Sequence, residues 1–166
     1  MTEPEVVIRL ASVGDVDAVA AFGAAVVPPH YEPIIGRAAA SEQVELWWTP
    51  QQLRAALADG ALLVAERGDE LIGVADLGAW EAEPVIWKLY VRAEHRGHGI
   101  GRALVRAALA EVPRPASRVI LEHFAGNEGA AAFYAREGFT HSRTDPADSG
   151  DPAAATVWRV LDLTSA

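Results

Sequence analysis

The chain has 166 residues, enough for one hydrophobic core of ordinary size and too few for two independent ones. Its 14 Lys plus Arg stand against 23 Asp plus Glu, a formal net charge of −9, which repels polyphosphates and excludes a nucleic-acid-binding module as a reading. With 51% hydrophobic and 22% charged residues the chain can offset its ordering entropy, and with no cysteine it has no disulfide framework, thiolate metal site or cysteine nucleophile.

The first ten residues carry acids where a secretory leader carries bases, and no apolar run approaches the roughly 18 residues that span a bilayer, which predicts a cytoplasmic protein without membrane contact. Lys88 is the one lysine among 14 basic residues, and with the abundant alanine this points to GC-rich coding in a bacterium. Residues 5–11 (EVVIRLA) read as a first strand. Ser12 with Asp15 then forms an approximate cap, and Val16, Val19, Ala20 and Gly23 follow at helical spacing. Pro28 and Pro29 are expected to stop that helix, leaving residues 30–46 as loop or short irregular helix. Thr49, Pro50 and Gln52 mark the start of a second helix.

Residues 61–67 and 71–80 flank Gly68-Asp69-Glu70 as a hairpin, and residues 84–91 (PVIWKLYV) form a central strand. Beyond a glycine-rich loop, Ile100, Ala103, Leu104, Ala107 and Ala108 give a helix that Pro113 and Pro115 end. Residues 117–124 read as a strand, Asn127 as the cap of a helix carrying Ala130, Phe133 and Tyr134, and Gly138 as its left-handed end. Two strands follow, from Phe139 and across 154–163, joined by an exposed loop. The order is β α α β β β α β α β β, one α/β domain over 1–166. Lys88 on its strand is expected to pair with a neighbouring carboxylate, Glu122.

The chemistry lies in Arg96-Gly97-His98-Gly99-Ile100-Gly101, between strand and helix. Glycine at three alternate positions lets main-chain N–H groups approach a ligand closely, and the helix behind adds its positive end, so the loop is an anion cradle. A P-loop is excluded because no Gly-Lys-Ser/Thr follows, and a dinucleotide fingerprint because Arg102 stands where it needs glycine. His95 and His98 share the loop without a third ligand, so no metal site is expected. Trp47 and Trp48 read most simply as core and staple residues before Thr49; two adjacent tryptophans are not easily both buried, so one facing a substrate cleft is the alternative.

At Arg96, Gly99 and Gly101 the chain resembles the GNAT superfamily of N-acetyltransferases, whose pyrophosphate signature is Arg or Gln, two residues, Gly, one residue, Gly or Ala. Leu89-Tyr90-Val91 resembles the family's fourth strand, which carries a bulge and whose main chain pairs with the pantetheine arm and the acetyl carbonyl. Asn127, Ala132, Phe133, Tyr134, Gly138 and Phe139 resemble its second signature, an Asn on the cofactor arm and a Tyr near the thioester sulfur. The resemblance spans residues 6–163 and is weakest over 30–49. It implies a mixed, largely antiparallel sheet with helices on both faces, splayed between the fourth and fifth strands to admit acetyl-coenzyme A. It further implies acetyl transfer to a primary amine by direct attack, with the Val91 N–H polarising the carbonyl and the Tyr134 hydroxyl serving the leaving sulfur. His98, Ile100 and Arg102 join Gly97 as cofactor-loop residues.

The family often has a glutamate six residues before the position of Val91; Val85 stands there instead. Glu83 is the first side-chain candidate for a base, with Glu81, Glu122 and His123 as others, and a water-relayed or absent base is the reading set against all of them. A variable segment at about 30–48, with Tyr31, Trp47 and Trp48, is expected to face a small-molecule amine or a protein amino group. Family members often dimerise, so a homodimer is expected as well. The alternative from another class is an acyl-coenzyme A-binding sensor without turnover.

Overall fold

Gly68 and Asp69 alone separate β2 (Ala61–Arg67) from β3 (Glu70–Trp80), with Gly68 at φ +61°, a conformation that side-chain-bearing residues rarely adopt. Around this hairpin a seven-stranded sheet grows in the computed structural model, which describes residues 2–164. β1 (Val6–Leu10) pairs with β2, and β4 (Glu83–Val91) pairs with β3, both antiparallel. β5 (Arg118–Phe124) lies parallel to β4, and β7 (Thr156–Asp162) and β6 (Thr140–Asp145) complete the order β1-β2-β3-β4-β5-β7-β6. The sheet is mixed and largely antiparallel.

Helices cover both faces. Under α1 (Val16–Ile35), α2 (Arg37–Trp47) and α3 (Pro50–Asp59) the core holds Val19, Phe22, Leu53, Leu62, Val64 and Val74. Under α4 (Ile100–Ala110) and α5 (Glu128–Arg136) it holds Ile72, Leu77, Ile86, Leu104, Leu121 and Phe139. The caps fall where the sequence puts them. Thr49 Oγ1 accepts from Gln52 N at 3.2 Å, Asn127 Oδ1 accepts from Ala130 N at 3.2 Å, and Gly138 follows α5 at φ +95°. Among the described residues no helix is long and apolar enough to cross a membrane.

Residues 28–47 depart from the sequence reading. α1 does not stop at Pro28 but runs through Pro28, Pro29 and Pro33 to Ile35, and α2 replaces the expected loop, giving three helices before β2 instead of two. Each proline removes a helical N–H at a cost of about 3 kcal/mol in an isolated helix. Here Val26, Val27 and Tyr31 are buried along the same stretch, and tertiary packing overrides the local preference. Gly36, at φ +87°, makes the turn into α2, whose Ala40 is fully buried.

Two irregularities position the site. Asp76 pairs with Lys88 and Leu77 with Ile86, so Trp87 is an extra residue on β4. That bulge inverts the alternation: Ile86 packs under α4, yet Tyr90 packs under α1. The second is the junction of β4 and β5, whose register contains two pairs, Val85↔Ile120 and Ile86↔Leu121, after which the strands part.

Gly23 on α1 is the seat of Trp48, since a Cβ there would lie 2.3 Å from the indole ring. Trp48 is 3% exposed and wedged against Phe22 and Tyr90, contacts it would have to give up in order to yield. Helix propensity alone makes Gly23→Ala stabilising by about 1 kcal/mol. Overpacking makes it destabilising by about 1–3 kcal/mol, and a lowered urea midpoint at unchanged slope is the expected result.

Candidate active site

The glycine loop follows the end of β4 directly, and Arg96 ties it back, its Nε donating to the Val91 carbonyl at 3.0 Å. Gly97 and Gly99 have φ +80° and +81°, and a Cβ on either would meet nothing within 4 Å, so the cradle is open. The first helical bond of α4 runs from Ala103 N to Gly99 O at 3.0 Å. The N–H groups of Ile100, Gly101 and Arg102 therefore have no partner within the helix and present its positive end. Gly101 has a second reason to lack a side chain, because a Cβ there would touch the Phe133 ring at 3.4 Å. Arg102 turns away, with its Nε 3.5 Å from Glu137, and the His98 ring contacts the His95 carbonyl. These groups fit a pyrophosphate: main-chain donors, an open approach, and an Arg96 guanidinium whose terminal nitrogens have no partner among the described residues.

Where β4 and β5 part, a cavity of about 840 Å³ opens, walled by Tyr31, Trp48, Tyr90, Phe124 and, across from them, Trp80 and Trp158. Lys88 crosses its floor to Asp76 at 3.1 Å, both side chains buried, with the ammonium 5.3 Å from the Trp48 ring centre. The sequence expectation of a Lys88–Glu122 pair is wrong. The Trp87 bulge sets Lys88 opposite Asp76 in register, and the splay carries β5 away.

Glu122 thus reaches the cavity unengaged, for no hydrogen bond or ion pair holds its carboxylate among the described residues. Glu122 is exposed toward the cavity, and partial desolvation by the surrounding walls, then the neighbouring Asp145 carboxylate, push its pKa above the usual carboxylate value, while Arg143 opposes them. His123 is in a different state. Its Nδ1 donates to the Phe124 carbonyl at 2.8 Å and its Nε2 accepts from Arg159 Nε at 2.9 Å, which leaves no lone pair for a substrate proton. Burial lowers its pKa as well, so it is a neutral wall group.

Three tyrosines meet at the opening. Tyr31 and Tyr90 share a hydrogen bond of 2.6 Å between hydroxyls, and burial raises the pKa of each. Tyr134 comes from the other layer, its ring 6.1 Å from His123, and burial followed by Tyr31 pushes its phenol well above the ordinary range. It holds its proton at any working pH, and its hydroxyl has no hydrogen-bond partner among the described residues. Asn127, besides capping α5, approaches His30 Nε2 with its Nδ2 at 3.2 Å, consistent with a neutral His30 whose pKa is lowered by burial and by Arg96.

A sequence profile described as the acetyltransferase (GNAT) family matches residues 27–139, more than half of the chain. The chain belongs to that family. It is an acyltransferase by family. No protein of curated function matches it. Among solved structures it is similar to the PaiA N-acetyltransferase of Thermoplasma acidophilum in complex with coenzyme A. The TM-score is 0.81 at 18% identity, over 95% of this chain and 99% of that one. A GCN5-related N-acetyltransferase from Rhodopseudomonas palustris gives 0.76 at 19% identity, over 98% and 99%. A GNAT acetyltransferase from Elizabethkingia anophelis with acetyl-CoA bound gives 0.64 at 14%, over 95% and 98%. At these identities the likeness is one of fold.

The residues anticipated from the acetyltransferase resemblance divide into two groups. Leu89–Val91 end β4 and the Arg96–Gly101 loop follows directly, Asn127 caps α5 beside His30 and Tyr134 stacks near His123, while Tyr31, Tyr90, Trp47 and Trp48 line the cavity. Trp48 is the buried one and Trp47, 51% exposed, stands at the rim. Glu83 lies elsewhere: it opens β4 at the far end, its carboxylate held by Arg118, and faces a separate depression of about 630 Å³. Missed in the sequence were Trp80, Trp87, Trp158 and His30, which no local pattern brings together.

The buried Lys88–Asp76 pair gives a test of this wiring. Lys88→Met leaves a desolvated Asp76 carboxylate and is expected to cost about 3 kcal/mol, with Asp76→Asn added to it restoring part of the loss. Glu122→Gln is expected to leave the urea midpoint nearly unchanged, the reverse of what a Lys88–Glu122 pair requires.

Proposed function

We propose that the protein transfers an acetyl group from acetyl-coenzyme A to the primary amine of a small molecule, directly within a ternary complex. The observation that carries this reading is the splay itself. At one end lies an open glycine cradle, at the other a cavity with an unengaged carboxylate, and between them a buried tyrosine whose phenol keeps its proton. Acetyl-coenzyme A supplies the activated thioester, with its pyrophosphate on the cradle and its arm along the edge of β4 left unpaired beyond Ile86.

An ammonium group entering the cavity has to lose a proton before nitrogen can attack. With a pKa of about 10, roughly one amine in a thousand is neutral at pH 7. Glu122 takes that proton in this reading, its raised pKa bringing it nearer to neutrality than a solvated carboxylate. His123 is spoken for and Glu83 is distant. The β4 main chain polarises the acetyl carbonyl, and Tyr134 donates its proton to the departing sulfur as the carbon–sulfur bond breaks. Neither cysteine nor an activated serine is at hand for an acyl-enzyme, so the route is positioning plus proton transfer.

Three variants test the parts. Gly99→Val forces a branched side chain into a left-handed position and blocks close approach to the cradle. Acetyl-coenzyme A binding by calorimetry is expected to vanish while the fold remains. Tyr134→Phe keeps the ring and is expected to lower turnover about 10²- to 10⁴-fold with little change in cofactor affinity. Glu122 is active when deprotonated, so kcat/KM rises as pH climbs through its raised pKa. Glu122→Gln is expected to remove that limb, leaving a lower rate that grows only with the neutral amine. Coenzyme A release that is absent with every amine, while acetyl-coenzyme A still binds, would replace this reading with that of a sensor.

A further inference from the structure

All five tryptophans of the chain line the cavity at the splay. They arrive from the end of α2 and its following turn, from β3, β4 and β7, so the convergence is tertiary. Trp80 stands between Trp87, at 6.1 Å and 29° between ring planes, and Trp158, at 4.8 Å and 49°. Gly78 gives Trp87 its place, since a Cβ there would lie 2.8 Å from indole Cδ1 and Nε1. Even so Trp80 and Trp87 remain 43% and 37% exposed, large apolar faces turned to an empty space.

Two of the other three indoles already have cations. Lys88 lies over Trp48 at 5.3 Å, and the Arg143 guanidinium lies over Trp158 at 4.8 Å, whereas Trp80 and Trp87 have none among the described residues. The carboxylates divide in the same way. Asp76 is matched by Lys88 at 3.1 Å, and Asp145 accepts from Trp158 Nε1 at 3.0 Å and from Arg143 Nε at 3.3 Å. Asp59, at the exposed end of α3, also lines the cavity. Glu122, on β5 and opposite Trp158 in register, is the unengaged acid on the strand that adjoins the indole row.

We infer that the acceptor is an arylalkylamine, one primary ammonium on a short alkyl link to an aromatic ring, with the ammonium at Glu122 and the ring against Trp80 and Trp87. The inference rests on the acetyl-transfer reading and names its second substrate. A polyamine would need carboxylates spaced along its length, which the indole row does not supply. An aminosugar carries hydroxyl groups around the edge of its ring, each needing a hydrogen-bond partner, and a row of exposed indoles supplies few of them. An arylalkylamine leaves nothing unpaired, and the volume of about 840 Å³ accommodates its ring beside the acetyl thioester.

The test is calorimetry on the whole protein saturated with coenzyme A, using 2-phenylethylamine, n-butylamine, 3-phenylpropan-1-ol and spermidine, with coenzyme A release from acetyl-coenzyme A measured alongside. 2-Phenylethylamine is expected to bind at least about 30-fold more tightly than n-butylamine, which lacks the ring, and than the alcohol, which lacks the charge. Trp87→Ala is expected to raise both its dissociation constant and KM about 10-fold with kcat held, and Trp87→Phe to recover most of the loss. Unchanged coenzyme A affinity in each variant shows that it has folded. n-Butylamine or spermidine binding as tightly as 2-phenylethylamine overturns the inference, even if every amine is acetylated. Selective 2-phenylethylamine binding without coenzyme A release from any amine upholds this ligand class and overturns the transferase reading instead.

Discussion

Two residue pairs join β4 to β5, and the organisation of the site follows from how little that is. Upstream of Ile86 and Leu121 the strands hold the sheet together; downstream they part, and the helical layers on opposite faces come within reach of each other. Tyr134 stands on α5 and Tyr31 on α1, yet through the opening Tyr31 contributes to raising the Tyr134 pKa. A fully paired sheet would insulate them. The same parting leaves one edge of β4 with free main-chain groups at the point where the glycine loop begins, so a long ligand can lie along the edge with its phosphates at the loop.

The electrostatics of the opening depend on which partners are already taken. The chain is strongly acidic, yet two of the four acids lining the cavity have company: Asp76 is bound to Lys88, and Asp145 to Trp158 and Arg143. His123 and His30 are kept neutral by burial and by the donors they face. What remains are Asp59 at the end of α3, the Glu122 carboxylate with its raised pKa, and a set of phenols that keep their protons at rest. Such a surface is electrostatically suited to a cation.

The sheet, the hairpin and the capped helix ends were legible because each is written in neighbouring residues. Thr49-Pro50, Gly68-Asp69, Asn127 and Gly138 act within a turn of themselves, and the cradle is one continuous stretch. Residues 28–47 were not legible, because three prolines argue locally against a helix that the burial of Val26, Val27 and Tyr31 stabilises at long range. Nor was the partner of Lys88, since one extra residue at Trp87 changes which side chain stands opposite. The fold was read through a resemblance carried by short signatures. The cavity at the splay has no signature, being assembled from side chains far apart in sequence.

That assembly has an optical consequence. The core layer beneath α4 and α5 contains no indole, and every indole of the chain stands in the walls of one cavity. Ultraviolet emission from this protein is therefore a local signal: its wavelength records the wetness of the cavity, and its intensity the nearness of Lys88, Glu122 and any occupant. The remainder of the molecule is dark at those wavelengths, and a spectrum usually taken as an average over a whole fold becomes here a view into a single room.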